Sequence, residues 1–257
     1  MHEAAPRSSA GPDQGDRPKE PGADDFGLRT TPWEYIGGVT LMIVQSELAD
    51  LQTCDEMLEG AVIRELAGFQ RAVDANASML SESERDEYYR FHSGSRWMLE
   101  ELFPNIARTS MFLTCCALLE ARLDQFCQVA AREIGTRLTL EDIHGKGIVR
   151  ARIFLKKAVG MPFPDCTEQW REISTYGIIR NALAHTNGVL DDSRKRELVL
   201  QFANETHGLV KLTPAHVVLP QADFVPRVIA TIGQFFEQLH SAWELAKKPR
   251  ELRKHTE

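Results

Sequence analysis

The sequence predicts an all-α protein, a helical bundle with extra N-terminal helices and one small β-hairpin insertion. Three observations predict it. Apolar residues recur at three- and four-residue spacing over three long stretches, 33–76, 106–134 and 222–247. The connections between the periodic stretches are short, as in bundles. The short β-branched runs that could pair as strands are confined to 207–219.

In chain order, residues 1–31 are rich in Pro, Gly and charge, with Phe26 the only aromatic. Such a segment buries too little apolar surface to offset its ordering entropy and reads as a disordered tail. Thr31-Pro32-Trp33-Glu34 opens the ordered part with an N-cap, a proline at the first helical position and an early acid. From Trp33 to about Asn76 the stripe Leu41, Val44, Leu48, Leu51, Leu58, Val62, Leu66, Phe69, Val73 predicts one long helix, or two with a break near Gly37-Gly38. Ser81-Glu-Ser-Glu84 is a capping box and opens a helix to about Phe91. His92-Ser-Gly-Ser95 reads as a turn, followed by a short helix to Leu102.

Phe103-Pro104-Asn105 restarts the chain, and Phe112, Cys115, Leu119, Leu123, Phe126, Ala130 and Ile134 mark a central bundle helix that Gly135 ends. Thr139–His144 reads as a helical turn, Ile148–Val159 as a helix and Gly160–Pro164 as a loop. A helix from about Thr167 ends at the Asn187-Gly188 cap, and a polar helix follows Asp191 to about Ala203. His207–Leu212 and His216–Leu219 predict the hairpin, and Ala222–Lys247 the last long helix. The organisation read from this is a tail at 1–31, an N-terminal helical region at 32–99 packing on the bundle, the helical domain at 100–247 and a basic tail at 248–257.

Composition bounds the function. At 43% hydrophobic and 26% charged, 257 residues can bury a sizeable core. No apolar run approaches the ~20 residues of a membrane span, and the first residues carry no apolar leader, which argues against a membrane or secreted protein. The five cysteines (54, 115, 116, 127, 166) then read as reduced thiols of a cytoplasmic protein, with vicinal Cys115 and Cys116 as one core thiol and one neighbour. A net charge of −7 argues against a protein that coats nucleic acid non-specifically, though not against one local basic patch. Lys146, Arg150, Arg152, Lys156 and Lys157 form such a patch, with no acid between them. The patch reads either as a solvated helix face or as a contact for an RNA backbone. No phosphate-binding loop, dinucleotide fingerprint or metal-ligand spacing occurs, so neither a cofactor nor a metal is expected.

The chemistry-bearing stretch is Glu172–Gly188. Projected at about 100° per residue, Ile173, Tyr176, Ile179 and Leu183 form the core face. Ser174, Ile178, Asn181 and His185 form a second stripe at least about 120° away. Arg180 sits between, in line with Gly177 and Ala184, whose small side chains let another helix press against it. An arginine cannot deprotonate and matches two phosphate oxygens, whereas a histidine moves protons near neutral pH. Together they suit metal-free cleavage of an RNA phosphodiester by its own 2′-hydroxyl. Asn181 would orient the histidine or the phosphate. The spacing alone equally fits a surface arginine and a histidine favoured by the helix C-terminus. Glu120, on the central helix, reads as a flank carboxylate or as the partner of Arg180.

Arg180-Asn181-Ala-Leu-Ala-His185, preceded by Tyr176-Gly-Ile-Ile and followed by Thr-Asn-Gly, resembles the ribonuclease motif of the HEPN superfamily: arginine, a polar residue that is often asparagine, further residues, then histidine. Met111–Cys127, with Leu119-Glu120-x-x-Leu123, is similar to the first core helix of those domains. The resemblance covers about residues 100–247. It implies a helical bundle that dimerises through the motif helix, so that two arginine–histidine pairs form one composite site. The implied activity is RNA cleavage by a toxin or antiviral-defence effector, with Arg180, Asn181 and His185 as its residues. The implied partner is an antitoxin or a nucleotidyltransferase. Other members only bind, so a non-catalytic dimerisation module is the alternative. A toxin silenced by modification near the motif, with Tyr176 as a candidate target, is a third reading. The helices at 33–99 and the hairpin at 207–219 depart from the simple domain.

Overall fold

A computed structural model describes the backbone of residues 36–254 and the side-chain surroundings of residues 40–247. The fold is all-α with one two-stranded sheet. The tail read at 1–31 and the helix start at Thr31-Pro32 lie outside the described residues, as do the side chains of 248–257. Helix α1 spans Ile36–Ala77, unbroken at Gly37-Gly38. Helix α2 spans Glu82–Trp97 and α3 Phe103–Ile134. Helices α4 (Gly147–Phe154), α5 (Glu168–His185) and α6 (Ser193–Glu205) follow. Strands β1 (Val210–Leu212) and β2 (Val218–Pro220) pair antiparallel with Val210 opposite Pro220. Helix α7 runs Phe224–Lys254, past the boundary read at Lys247.

Helix α3 is the hub. Its stripe Phe112, Cys115, Leu119, Leu123, Phe126, Cys127 is buried among α1, α4, α5 and α7. Both Cys115 and Cys116 are core thiols, which corrects the reading of one core thiol and one neighbour. Burial, then nearby Asp55, pushes the Cys115 thiol up to about 12, so it is inert as a nucleophile. By composition the continuous helix Glu82–Ile134 could cross a membrane, yet its apolar residues from Phe112 to Ala130 make the centre of the core.

Two predicted breaks are absent, one through side-chain packing and one through a local change of helical turn. At His92-Ser-Gly-Ser95 the chain stays helical. His92 is wedged among Phe69, Tyr88 and Phe91, and the Ser93 hydroxyl folds back on the Arg90 carbonyl at 2.7 Å. At Pro104 the helix also continues, through a widened π turn at Met98–Leu102 in which the Phe103 N–H donates to the Met98 carbonyl. Proline has no N–H to offer and its ring crowds the carbonyl one turn back, so a wider turn lets the helix pass it.

A buried carboxylate, Glu172, is paired at the edge of the core with the partly exposed Arg227. Glu172 on α5 accepts hydrogen bonds from Tyr176 Oη at 2.8 Å, from Thr231 Oγ1 at 2.8 Å, and from the Arg227 guanidinium on both oxygens. Burial raises its carboxyl, but the bonds from Arg227, Tyr176 and Thr231 outweigh that and hold it below the usual range. Removing the cation would leave a buried charge partly paired. Arg227→Met is therefore expected to cost about 2–3 kcal/mol in urea unfolding. A loss under ~0.5 kcal/mol would mean that Tyr176 and Thr231 suffice.

Asp55 is the opposite case. It lies 3% exposed between α1 and α3. Burial and Glu59 push it up to about 6, against the pull of Arg108, which is committed to Glu59 at 2.6 Å. A carboxyl raised in the folded state favours folding while protonated, and that contribution is lost as pH rises from its ordinary 3.8 through about 6. Asp55→Asn is expected to stabilise the chain by roughly 1–3 kcal/mol near pH 7.5 and by nothing near pH 4. Equal gains at both pH values would contradict this.

Candidate functional site

Helix α5 starts where Thr167 Oγ1 accepts the Trp170 N–H at 3.3 Å. Ile173, Tyr176 and Ile179 are fully buried, as the projection predicts. Arg180 is half-buried at the edge of this face, while Asn181, Ala184 and His185 are exposed. After His185 the backbone turns sharply, with Asn187 and Gly188 both at positive φ. Gly188 is held by two hydrogen bonds and has no room for a side chain. Its N–H donates to the Ala182 carbonyl at 2.9 Å, its carbonyl accepts from the Val218 N–H at 3.0 Å, and a Cβ there would meet Val217 at 3.1 Å. Leu190 N–H donates to the His216 carbonyl, and Val189 bridges to Val217. The hairpin read as an insertion thus anchors the end of α5 that carries His185.

Arg180, Asn181 and His185 line one cleft of about 1050 Å³, together with Glu120, Lys146 and Arg152. The Arg180 guanidinium donates to Asn181 Oδ1 at 3.0 Å and lies 3.8 Å from the Glu120 carboxylate. Glu120 is thus the partner of Arg180, and its carboxylate rests 3.3 Å from where a side chain at Gly147 would begin. Asn181 holds the arginine rather than the histidine. His185 makes no hydrogen bond or ion pair among the described residues. Among the described residues Arg180 meets α3 through Glu120, and the Gly177 side of α5 is not covered by another helix. Nothing lies within 4 Å of a Cβ built at Gly177, so that face of α5 is open. Cys116 lies beneath the cleft, its thiol driven well up by burial.

The basic strip does not form one surface. Arg150 turns to Asp124 at 3.7 Å, and Arg152 and Lys156 share Asp165 at 2.9 and 2.8 Å. The Lys156 bond foremost, with that of Arg152, holds the Asp165 carboxyl below its usual range. Lys146 and Arg152 reach the cleft, while Arg150, Lys156 and Lys157 are not among its lining. Tyr176 is buried with its hydroxyl bonded to Glu172, which rules it out as an accessible modification target. The sequence reading missed Asp191, Asp192 and Lys195, which close the cleft on the His185 side. Asp192 carried a signal, since it caps α6 by accepting the Arg194 and Lys195 N–H groups at 2.9 and 3.0 Å.

A second cavity of about 320 Å³ lies between α5, α6 and α7. It exposes Glu168, Arg171 and Arg227, with Glu172 below them already satisfied. Among the described residues no group of three or more His, Cys, Asp or Glu is placed to hold a metal ion. Comparison with protein-family models, with curated proteins and with solved structures gives no match.

Gly188→Ala is expected to cost about 1–3 kcal/mol, because the positive φ and the Val217 contact both oppose a side chain. Urea unfolding measures it, and an unchanged midpoint would show that the turn can relax.

Proposed function

We propose that the chain is a HEPN-type, metal-independent endoribonuclease that cuts RNA as a homodimer. A toxin or antiviral-defence setting, with an antitoxin or nucleotidyltransferase as partner, belongs to the same proposal and rests on the family resemblance alone. The observation that carries the reading is the shared cleft wall. A guanidinium aligned by Asn181 and an unpartnered imidazole stand on successive turns of α5, beside an open stripe at Gly177.

In the proposed reaction the ribose 2′-hydroxyl attacks the adjacent phosphorus and the 5′-oxygen leaves. The product is a 2′,3′-cyclic phosphate and a 5′-hydroxyl end. Arg180 would neutralise the charge that gathers on the phosphorane. In the free protein Glu120 balances that charge loosely, at 3.8 Å, and a phosphate would compete for it. His185 would take the 2′-proton or give one to the leaving 5′-oxygen. One chain supplies one histidine, and the two proton transfers call for two. A second copy of α5 packed on the Gly177–Ala184 stripe would supply the other.

Arg180→Ala and His185→Ala are each expected to lower RNA cleavage at least ~100-fold while circular dichroism and thermal midpoint stay unchanged. Chelators should leave wild-type cleavage intact. Cleavage retained by both variants would sink the site, and loss of activity on chelation would sink the metal-free mechanism. A dimer that forms without cutting any RNA would support the non-catalytic module instead.

A further inference from the structure

Among the described residues, helix α2 is attached to the rest of the fold along one side only. Arg85, Tyr88, Tyr89 and His92 face α1. Arg85 Nε donates to the Ala77 carbonyl at 2.9 Å, Tyr88 bonds Asn76, Tyr89 bonds Asp74, and His92 packs on Phe69. Neither α2 nor the π turn after it contains a buried residue. On the far side the positions 84, 87, 91, 94 and 98 alternate by three and four, which is the a/d seam of a helix that pairs with another helix. They are Glu84, Glu87, Phe91, Gly94 and Met98. Phe91 is 81% exposed, Met98 40% and flanking Trp97 55%. Nothing lies within 4 Å of a Cβ at Gly94, so a second helix axis can come close there. No seam residue lines either cavity.

Charge selects the occupant. The charged positions of the seam and its continuation, Glu84, Glu87 and Glu101, are all acidic, although α2 as a whole sets four acids against Arg85, Arg90 and Arg96. A second copy of the seam would set acid against acid in either orientation. Parallel pairing puts Glu87 opposite Glu87. Antiparallel pairing about Gly94 puts Glu87 opposite Glu101. RNA is repelled by the same acids. What fits both the apolar stripe and the charge is a helix with apolar a/d positions and basic flanks. We propose that the outer face of α2, centred on Phe91, Gly94 and Met98, docks a basic amphipathic helix of a partner protein.

The test uses the full chain and a labelled Leu/Lys peptide of about 18 residues with leucine at the a and d positions. Its counterpart with Glu for Lys is the first control. Fluorescence anisotropy should show the Leu/Lys peptide binding and the Leu/Glu peptide not. Phe91→Ser with Met98→Ser leaves the net charge unchanged and should weaken binding at least ~10-fold. Met79→Ser removes an equally exposed apolar residue outside the seam and should change nothing. Glu87→Gln with Glu101→Gln should weaken binding severalfold and flatten its salt dependence. Thermal midpoints of all variants verify folding. Equal affinity for the Phe91/Met98 double variant would overturn the proposal, because charge alone would then explain binding. So would a concentration-dependent dimer abolished by that variant, or flotation with phosphatidylcholine–phosphatidylglycerol vesicles that it abolishes.

Discussion

The buried carboxylate of Glu172 fixes the rotation of α5, and the candidate site depends on that rotation. Tyr176 Oη and Thr231 Oγ1 each donate to it, and Arg227 closes the shell from α7. An ionised group in a core is tolerated only when its acceptor sites are filled. Turning α5 by one residue would carry the carboxylate about 100° away from those donors. The same rotation puts Ile173 and Ile179 inward, Arg180 at the edge and Asn181 and His185 outward. A buried polar cluster thus specifies the face that a purely apolar α5–α7 contact would leave free to slip. Because the cluster is already satisfied, the small cavity above it needs no ligand to complete it.

The far end of α5 is fixed by different means. There the constraint is the Gly188 turn, clasped between the Ala182 carbonyl and β2. A three-residue strand pair would be marginal alone. Its value lies in joining the loop after His185 through the Val189–Val217 bridge and the Leu190–His216 bond. The imidazole therefore stands on a helix end tied down on both sides of the chain, while its own nitrogens make no hydrogen bond among the described residues. Rigid backbone with an uncommitted side chain suits a group that must move protons rather than hold structure.

What was legible in the sequence was local. The Ser81 capping box, the Gly135 cap, the hairpin and the stripes of α3 and α7 each depend on residues a few positions apart. The helical face of Arg180, Asn181 and His185 was legible for the same reason. Distant partners were not. Nothing near Arg152 and Lys156 announces Asp165, so a run of basic residues looked like one surface. Glu172 was passed over because periodicity puts it on the core face while residue type puts it in water. Only Arg227 and Thr231, some fifty residues later, resolve that conflict. The Gly-Ser turn at 92–95 failed because aromatic packing of His92 outweighs the modest helix cost of one glycine.

Charge divides the molecule in a way that bears on both surfaces. The segment from 52 to 102 holds a large surplus of acid, whereas the cleft sets Arg180, Arg152, Lys146 and Lys195 against Glu120, Asp191 and Asp192, close to balance. At physiological salt a fixed charge is felt over only ~8 Å, so the two regions act as separate fields rather than as one average. The RNA proposed as substrate would meet a less acidic field at the cleft than along the α1–α2 hairpin. The basic helix proposed to dock on α2 would meet the reverse field there. The net charge of −7 therefore does not describe the cleft, since the excess acid is concentrated on a part of the fold that contributes nothing to its lining.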